Sequence, residues 1–184
     1  MNVVAEKGMT FDEYLERHDG RAFDLVNGEL VENHVSALSS HVAAEVIALV
    51  AGHCRRNGAG VVFTSECCYR CFADPDTGRR PDVSFIHRDR LPADWQSLGY
   101  FRLAPDLAIE VISAHDLAYE VDAKTDQYLS AGVRMVWVIN PVERMVQVHR
   151  QDGSLTKLRS NAILSGEDVV PGFTCLVADL FPAK

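Results

Sequence analysis

The sequence predicts an α/β fold, a mixed central sheet flanked by helices in one domain spanning 1–184. Three observations predict it. DLAIEVI, a helical stretch and VRMVWVIN follow one another as a right-handed β-α-β unit. Asn27-Gly28 sits between two alternating apolar runs, a two-residue hairpin signal. A helical pattern over 36–57 carries Val42, Val46, Ile47 and Val50 at helical spacing and stops at Gly58.

The other elements follow in order. Thr10 with Glu13 forms a capping-box pattern that opens a short helix over 11–18. In the hairpin, Phe23, Leu25 and Leu30 can share a face. Residues 60–72, rich in β-branched and small apolar types, read as one strand or two. ADPDTGRR is a turn, and Pro81-Asp82 begins the strand PDVSFI. Residues 87–103 read as a long loop whose Trp95, Tyr100 and Phe101 either anchor it or touch a ligand. Residues 106–112 form a strand, 117–131 a helix closed by Gly132, and VRMVWVIN and RMVQVHR two more strands. QDGS is a turn, and PGFTCLVADLF a short strand with a helical turn.

Composition narrows the class. The chain has 184 residues, 47% hydrophobic and 24% charged, enough for one core and too few for two. No apolar run reaches the roughly 20 residues that span a bilayer, and the N-terminus does not read as a signal peptide. The expected location is therefore cytoplasmic. The five cysteines, an odd count without a secretion signal, argue against a disulfide framework. Cys68 and Cys71 form one CxxC, but no second pair completes a zinc site. The net charge of -8 speaks against avid nonspecific nucleic-acid binding. It leaves room for a metal site, which needs clustered carboxylates. The pairs Arg55-Arg56, Arg79-Arg80 and Arg88-Arg90 read as solvated loop charges.

Glu110 is the informative residue. It interrupts Leu107, Ala108, Ile109, Val111 and Ile112, a near-continuous apolar run typical of a strand covered on both faces. A carboxylate there is costly unless paired, protonated or metal-bound; a solvent-filled gap near the strand end is the bland alternative. Asp82 is either a turn residue beside Pro81 or a second carboxylate converging with Glu110 on a divalent cation. Mg²⁺ often takes one or two carboxylates plus water and phosphate, and the backbone carbonyl of Val111 can add an oxygen. Lys124 shares a helix face with Glu120 and Tyr128. It is either half of a surface pair or a cation aimed back at the carboxylates, with Tyr128 wedging or bonding it. Ser113 and Asp116 either tune that site or cap the next helix.

AFDLVNGELVE, PDVSFI, APDLAIEVIS, Lys124 with Tyr128, and AGVRMVWVINP occur in order from about Phe11 to Phe181. Together they resemble the Uma-two family of restriction-endonuclease-like proteins in the PD-(D/E)XK nuclease superfamily. The resemblance implies a restriction-endonuclease-like fold and metal-dependent hydrolysis of phosphodiester bonds in DNA. Asp82 matches the aspartate of the PD motif and Glu110 the second acid. Ile112 stands in the usual place of the lysine, and Lys124 matches a lysine that has moved to the next helix. Glu29 matches the glutamate of a GEL motif, and is otherwise a solvent-facing hairpin residue. His41 matches a helix histidine that contacts phosphate or moves a proton, and is otherwise a helix-surface residue. The expected cofactor is Mg²⁺ or Mn²⁺, the partner DNA, and the assembly a homodimer, for which the WVIN strand and the sheet edge are candidate surfaces. Two rival classes stay open: an inactive nuclease fold serving as a binding or assembly module, and a metal-dependent hydrolase of a small phosphoester.

Overall fold

The computed structural model describes residues 3–4, 8–17 and 23–183. The end of the helix expected over 11–18 lies outside the described residues. Its start is as expected: Thr10 caps α1 (Phe11–Glu16), with both halves of the capping box formed. Two short strands, β2 (Phe23–Val26) and β3 (Glu29–Glu32), pair antiparallel across Asn27-Gly28. Both turn residues have positive φ, 51° and 75°, the backbone that a two-residue hairpin turn requires. Leu25 and Leu30 face each other in the pairing and are buried with Phe11 and Tyr14, while Phe23 packs at the edge of that cluster. A two-residue strand, β1 (Val3–Val4), extends this small sheet beside β3.

Helix α2 (Ala37–Asn57) begins at a Ser36–Ser39 capping box and ends at Gly58, whose φ of 63° is the left-handed C-terminal conformation. By length and composition it is apolar enough to cross a membrane, which corrects the expectation that no run reaches that length. Here its stripe of Val42, Val46, Val50 and Cys54 packs on the central sheet.

That sheet has six strands in the order β4 (Gly60–Thr64), β5 (Val83–His87), β6 (Leu107–Val111), β7 (Met135–Asn140), β8 (Met145–Arg150) and β9 (Leu155–Arg159). Only β6 and β7 run parallel, joined by α3 (Ala118–Ser130), so the sheet is mixed as expected. Strand alternation divides its residues between the two faces. Ile109 and Val111 join the α2 side; Ala108, with Val136 and Val138, joins the α3 side around Tyr128. Glu110 therefore faces α3. A two-stranded ribbon, β10 (Ile163–Ser165) with β11 (Thr174–Leu176), and a short 3-10 turn at Val177–Leu180 finish the α2-side core.

Three expectations are corrected. The strand read over 60–72 ends at Thr64: Cys67 closes a turn onto the Thr64 carbonyl, and Tyr69 makes only single bridges, to Arg79 and Phe101. The WVIN strand is interior, paired on one side with β6 and on the other with β8, so it offers no surface for a dimer; the sheet edges are β4 and β9. The 87–103 segment contains two 3-10 turns, at Arg88–Arg90 and Trp95–Ser97. Its aromatic residues anchor it: Trp95 and Phe101 against Phe63, Phe101 stacked on Tyr69, and Tyr100 edge-on to Phe11.

Candidate active site

One cleft of about 210 Å³ gathers Asp82, Glu110, Val111 and Lys124. It lies between the β2–β3 hairpin, the ends of β5 and β6, and α3. The β5–β6 ladder pairs Val83 with Ile109 and stops there. Beyond it the Val111 amide donates to Asp82 Oδ2 at 2.7 Å, so a side chain replaces the missing backbone partner and fixes Asp82 beside the Glu110 segment.

Glu110 projects from the α3 face of β6 and meets two residues one helical turn apart. Lys124 Nζ donates to its Oε2 at 2.9 Å, and the Tyr128 hydroxyl donates to its Oε1 at 2.8 Å. Tyr128, expected to wedge or bond the lysine, gives its hydrogen bond to the carboxylate. The surface-pair reading of Lys124 is excluded, since the i,i+4 spacing here serves an inward face.

Behind Lys124 lies a residue that sequence reasoning missed. Asp24 on β2 is fully buried, and its Oδ2 stands 3.4 Å from Lys124 Nζ and 3.1 Å from Arg79 Nη1. Its Oδ1 accepts from the Arg80 amide at 3.0 Å and from Asn33 at 3.3 Å. Arg79 is only 5% exposed and also donates to Gln127 on α3, correcting its reading as a solvated loop charge. The segment carrying it is laid against β2 by the Leu25–Gly78 bridge. Gly78 must be glycine there, because a Cβ would come 2.5 Å from the Phe11 ring.

Mutual screening sets the protonation of the group. Burial pushes the Glu110 carboxyl up to about 7, against the pull of the Lys124 ammonium and with a further push from Asp82. Burial likewise raises Asp82, opposed by Lys124 and the Val111 amide. Asp24 is buried too, but Lys124 and Arg79 outweigh desolvation and hold it below the ordinary aspartate range. Lys124 loses solvation, yet Asp24 and Glu110 outweigh that loss and keep it a firm cation.

The other expected site residues fall elsewhere. Glu29 sits at the start of β3 opposite Val26, and it is Val31 and Glu32 further along that strand that line the cleft. His41 is exposed, turned away from the Val42–Val46 stripe that packs on the sheet. Neither is brought to the cleft wall. Asp116 lines the cleft and accepts from the Ser113 amide at 2.7 Å, closing the turn before α3; the helix itself has Leu117 at its N-cap, with no side-chain cap.

Among the described residues, no three His, Cys, Asp or Glu side chains cluster as a metal site, and the five cysteines are free. Asp82 and Glu110 nevertheless fit a hard cation. Both line one cleft, both are held by neighbours, and burial raises both carboxyls, a cost that a divalent ion would relieve.

A mixed sheet carries Asp82 and Glu110 at adjacent strand ends, and α3 brings Lys124 to them. Residues 10–178 match the Uma2 family, described as "Putative restriction endonuclease", and the chain belongs to that family. Its fold is similar to the crystal structure of a protein from Anabaena variabilis ATCC 29413, described as a putative nuclease belonging to DUF820. The TM-score is 0.80 over 94% of this chain and 97% of that one, at 21% sequence identity. No protein of curated function matches the chain.

Proposed function

We propose that the chain is a metal-dependent endonuclease that hydrolyses phosphodiester bonds of DNA. The observation that carries this reading is the delivery of Lys124 from α3 to within 2.9 Å of Glu110, in the cleft that Asp82 also lines. Asp82 and Glu110, with the backbone carbonyl of Val111, would hold Mg²⁺ or Mn²⁺. When bound, the cation supplies a Lewis acid for a phosphate oxygen and a water of lowered pKa.

The protein's own groups do the positioning. The Val111 amide fixes Asp82, and Tyr128 with Lys124 fixes Glu110. Lys124, held from behind by Asp24, keeps a positive charge beside the place where the phosphate becomes more negative. Water oxygen bonds to phosphorus and gives up a proton to solvent, the bond from phosphorus to the leaving oxygen breaks, and that oxygen takes a proton from solvent. No covalent protein intermediate is required.

The test is cleavage of labelled DNA with and without Mg²⁺ or Mn²⁺, alongside Mn²⁺ binding followed by electron paramagnetic resonance. Wild type is expected to cut only with metal, and Asp82→Ala and Glu110→Ala to lose both cutting and metal. Metal binding that depends on both acids, without cleavage of any nucleic acid, would overturn the nuclease reading.

A further inference from the structure

The cleft that holds the carboxylates is poorly equipped to grip a duplex by its phosphates. Among the described residues its lining carries three cations, Arg79, Arg80 and Lys124, and each is already engaged by the protein. Arg79 is held by Asp24 and Gln127, Arg80 by the Tyr14 hydroxyl and the Glu66 carbonyl, and Lys124 by Glu110 and Asp24. Against them stand five carboxylates: Glu32, Asp82, Glu110, Asp116 and Glu120. A divalent ion would offset two of those charges, and the described residues of this cleft leave no uncommitted cation for the phosphates on either side of the scissile one. Duplex binding usually draws its affinity from several such neutralised phosphates.

What the cleft does offer is apolar wall. Val26, Val31 and Val35 line it from the hairpin side, Ile112 from just past β6, and Val121 from α3. Val35 is 73% exposed, an apolar side chain left in water at the cleft lip. Next to it His34 lines the cleft and stands edge-on to the exposed His115, their rings 5.9 Å apart. The two histidines come from different segments, one after β3 and one after β6. Apolar walls and ring faces receive an unpaired base, whose own faces are apolar, and they do not depend on its sequence.

We infer that the cleft seats an unpaired nucleobase between the hairpin valines and Ile112–Val121, with His34 and His115 at its mouth, so that the preferred substrate is single-stranded or locally unpaired nucleic acid. This inference rests on the nuclease reading and narrows its substrate. The base adjoining the scissile phosphate leaves its stack and enters the cleft, and the cost of extrusion is smallest where no pairing must be broken.

Two measurements test it. In the first, one labelled sequence is presented with metal as a single strand, as a perfect duplex and as a duplex with a central bubble. The single strand and the bubble are expected to be cut at least ~10-fold faster than the duplex, with bubble cuts confined to the unpaired bases. Val35→Asp and His34→Ala are expected to raise KM for the single strand more than they lower kcat. Equal rates on duplex and single strand would overturn the inference while leaving the nuclease reading intact. The second measurement needs no cleavage. Thymidine 5′-monophosphate is titrated into methyl-labelled protein, with deoxyribose 5-phosphate as control. Shifts of the Val26, Val31 and Val35 methyls with the nucleotide alone support a base seat, even if the nuclease reading fails. Identical shifts with both compounds, or none with either, would overturn it.

Discussion

Lys124 reaches Glu110 from the helix that follows its strand, Nζ to Oε2 at 2.9 Å across fourteen positions of sequence. Ile112, two residues after Glu110 and just past the end of β6, lines the same cleft. The two positions can therefore deliver a cation to one place by different routes. Lys124→Met is expected to cripple cleavage, and adding Ile112→Lys to that variant is expected to recover at least ~10-fold of the lost rate. Steady-state cleavage of the three proteins checks this. An Ile112→Lys addition that recovers nothing would mean that the position of the charge, and not its presence in the cleft, is what matters.

Asp24 is the buried carboxylate between two cations, 3.1 Å from Arg79 and 3.4 Å from Lys124. Asp24→Ala leaves both without their shared partner and is expected to destabilise the fold by about 3–5 kcal/mol, the usual penalty for breaking a buried pair from one side. Asp24→Asn keeps the hydrogen-bond acceptor and is expected to cost less. Urea unfolding of the three proteins measures the difference, and equal stability of Asp24→Ala and wild type would remove Asp24 from this role.

The raised Glu110 pKa has a sign that can be read in the metal-free protein. Its folded value is about 7 against an ordinary 4.5, so between those pH values the folded state binds the extra proton. Folding stability is then present below about pH 4.5 and falls as pH rises toward 7, by on the order of 2–3 kcal/mol. Asp82 is shifted in the same direction and adds to the trend; Asp24 is shifted the other way, and its contribution is lost only at acid pH, as its carboxylate protonates. Urea midpoints in EDTA are expected to fall from pH 5 to 7.5, and Glu110→Gln to flatten that fall. Mg²⁺ added at pH 7.5 is expected to restore stability to the wild type and not to the variant.

Tyr128 donates to the other Glu110 oxygen at 2.8 Å from a fully buried ring. Tyr128→Phe removes that donor while keeping the ring, and is expected to cost about 1–2 kcal/mol of stability. Its cleavage rate is expected to stay within ~10-fold of wild type, because Lys124 still holds the carboxylate. A loss as large as that of Lys124→Met would give the hydroxyl a larger part than holding.

Much of this arrangement was legible in the sequence. The hairpin was marked by Asn27-Gly28, α2 by its valine spacing and Gly58, and the parallel pair by two apolar runs around an amphipathic helix. Glu110 stood out because a charge in such a run needs a partner, and the spacing of Lys124 and Tyr128 put both on one helix face. Asp24 was not legible. In FDLV it occupies the place of an ordinary polar residue in an alternating strand, and its burial depends on Arg79, 55 positions away. Arg79 in turn looked like a solvated charge because nothing local shows that Gly78 pairs with Leu25. Local pattern finds the residues that violate it, such as Glu110, and overlooks those whose partners come from afar. The inward strand WVIN shows the same limit from the other direction: its apolar pattern fits an interior strand and an interface equally well.

The central claim is that Lys124, carried on α3, supplies the charge that a strand lysine would otherwise supply. Single-turnover cleavage by wild type and Lys124→Met, at saturating metal and with Mn²⁺ affinity measured in parallel, tests it most directly. The predicted result is a fall in rate of about 10²–10³-fold with metal affinity unchanged or tighter. A Lys124→Met protein that cuts at the wild-type rate, or one that loses metal in proportion to its activity, would contradict it.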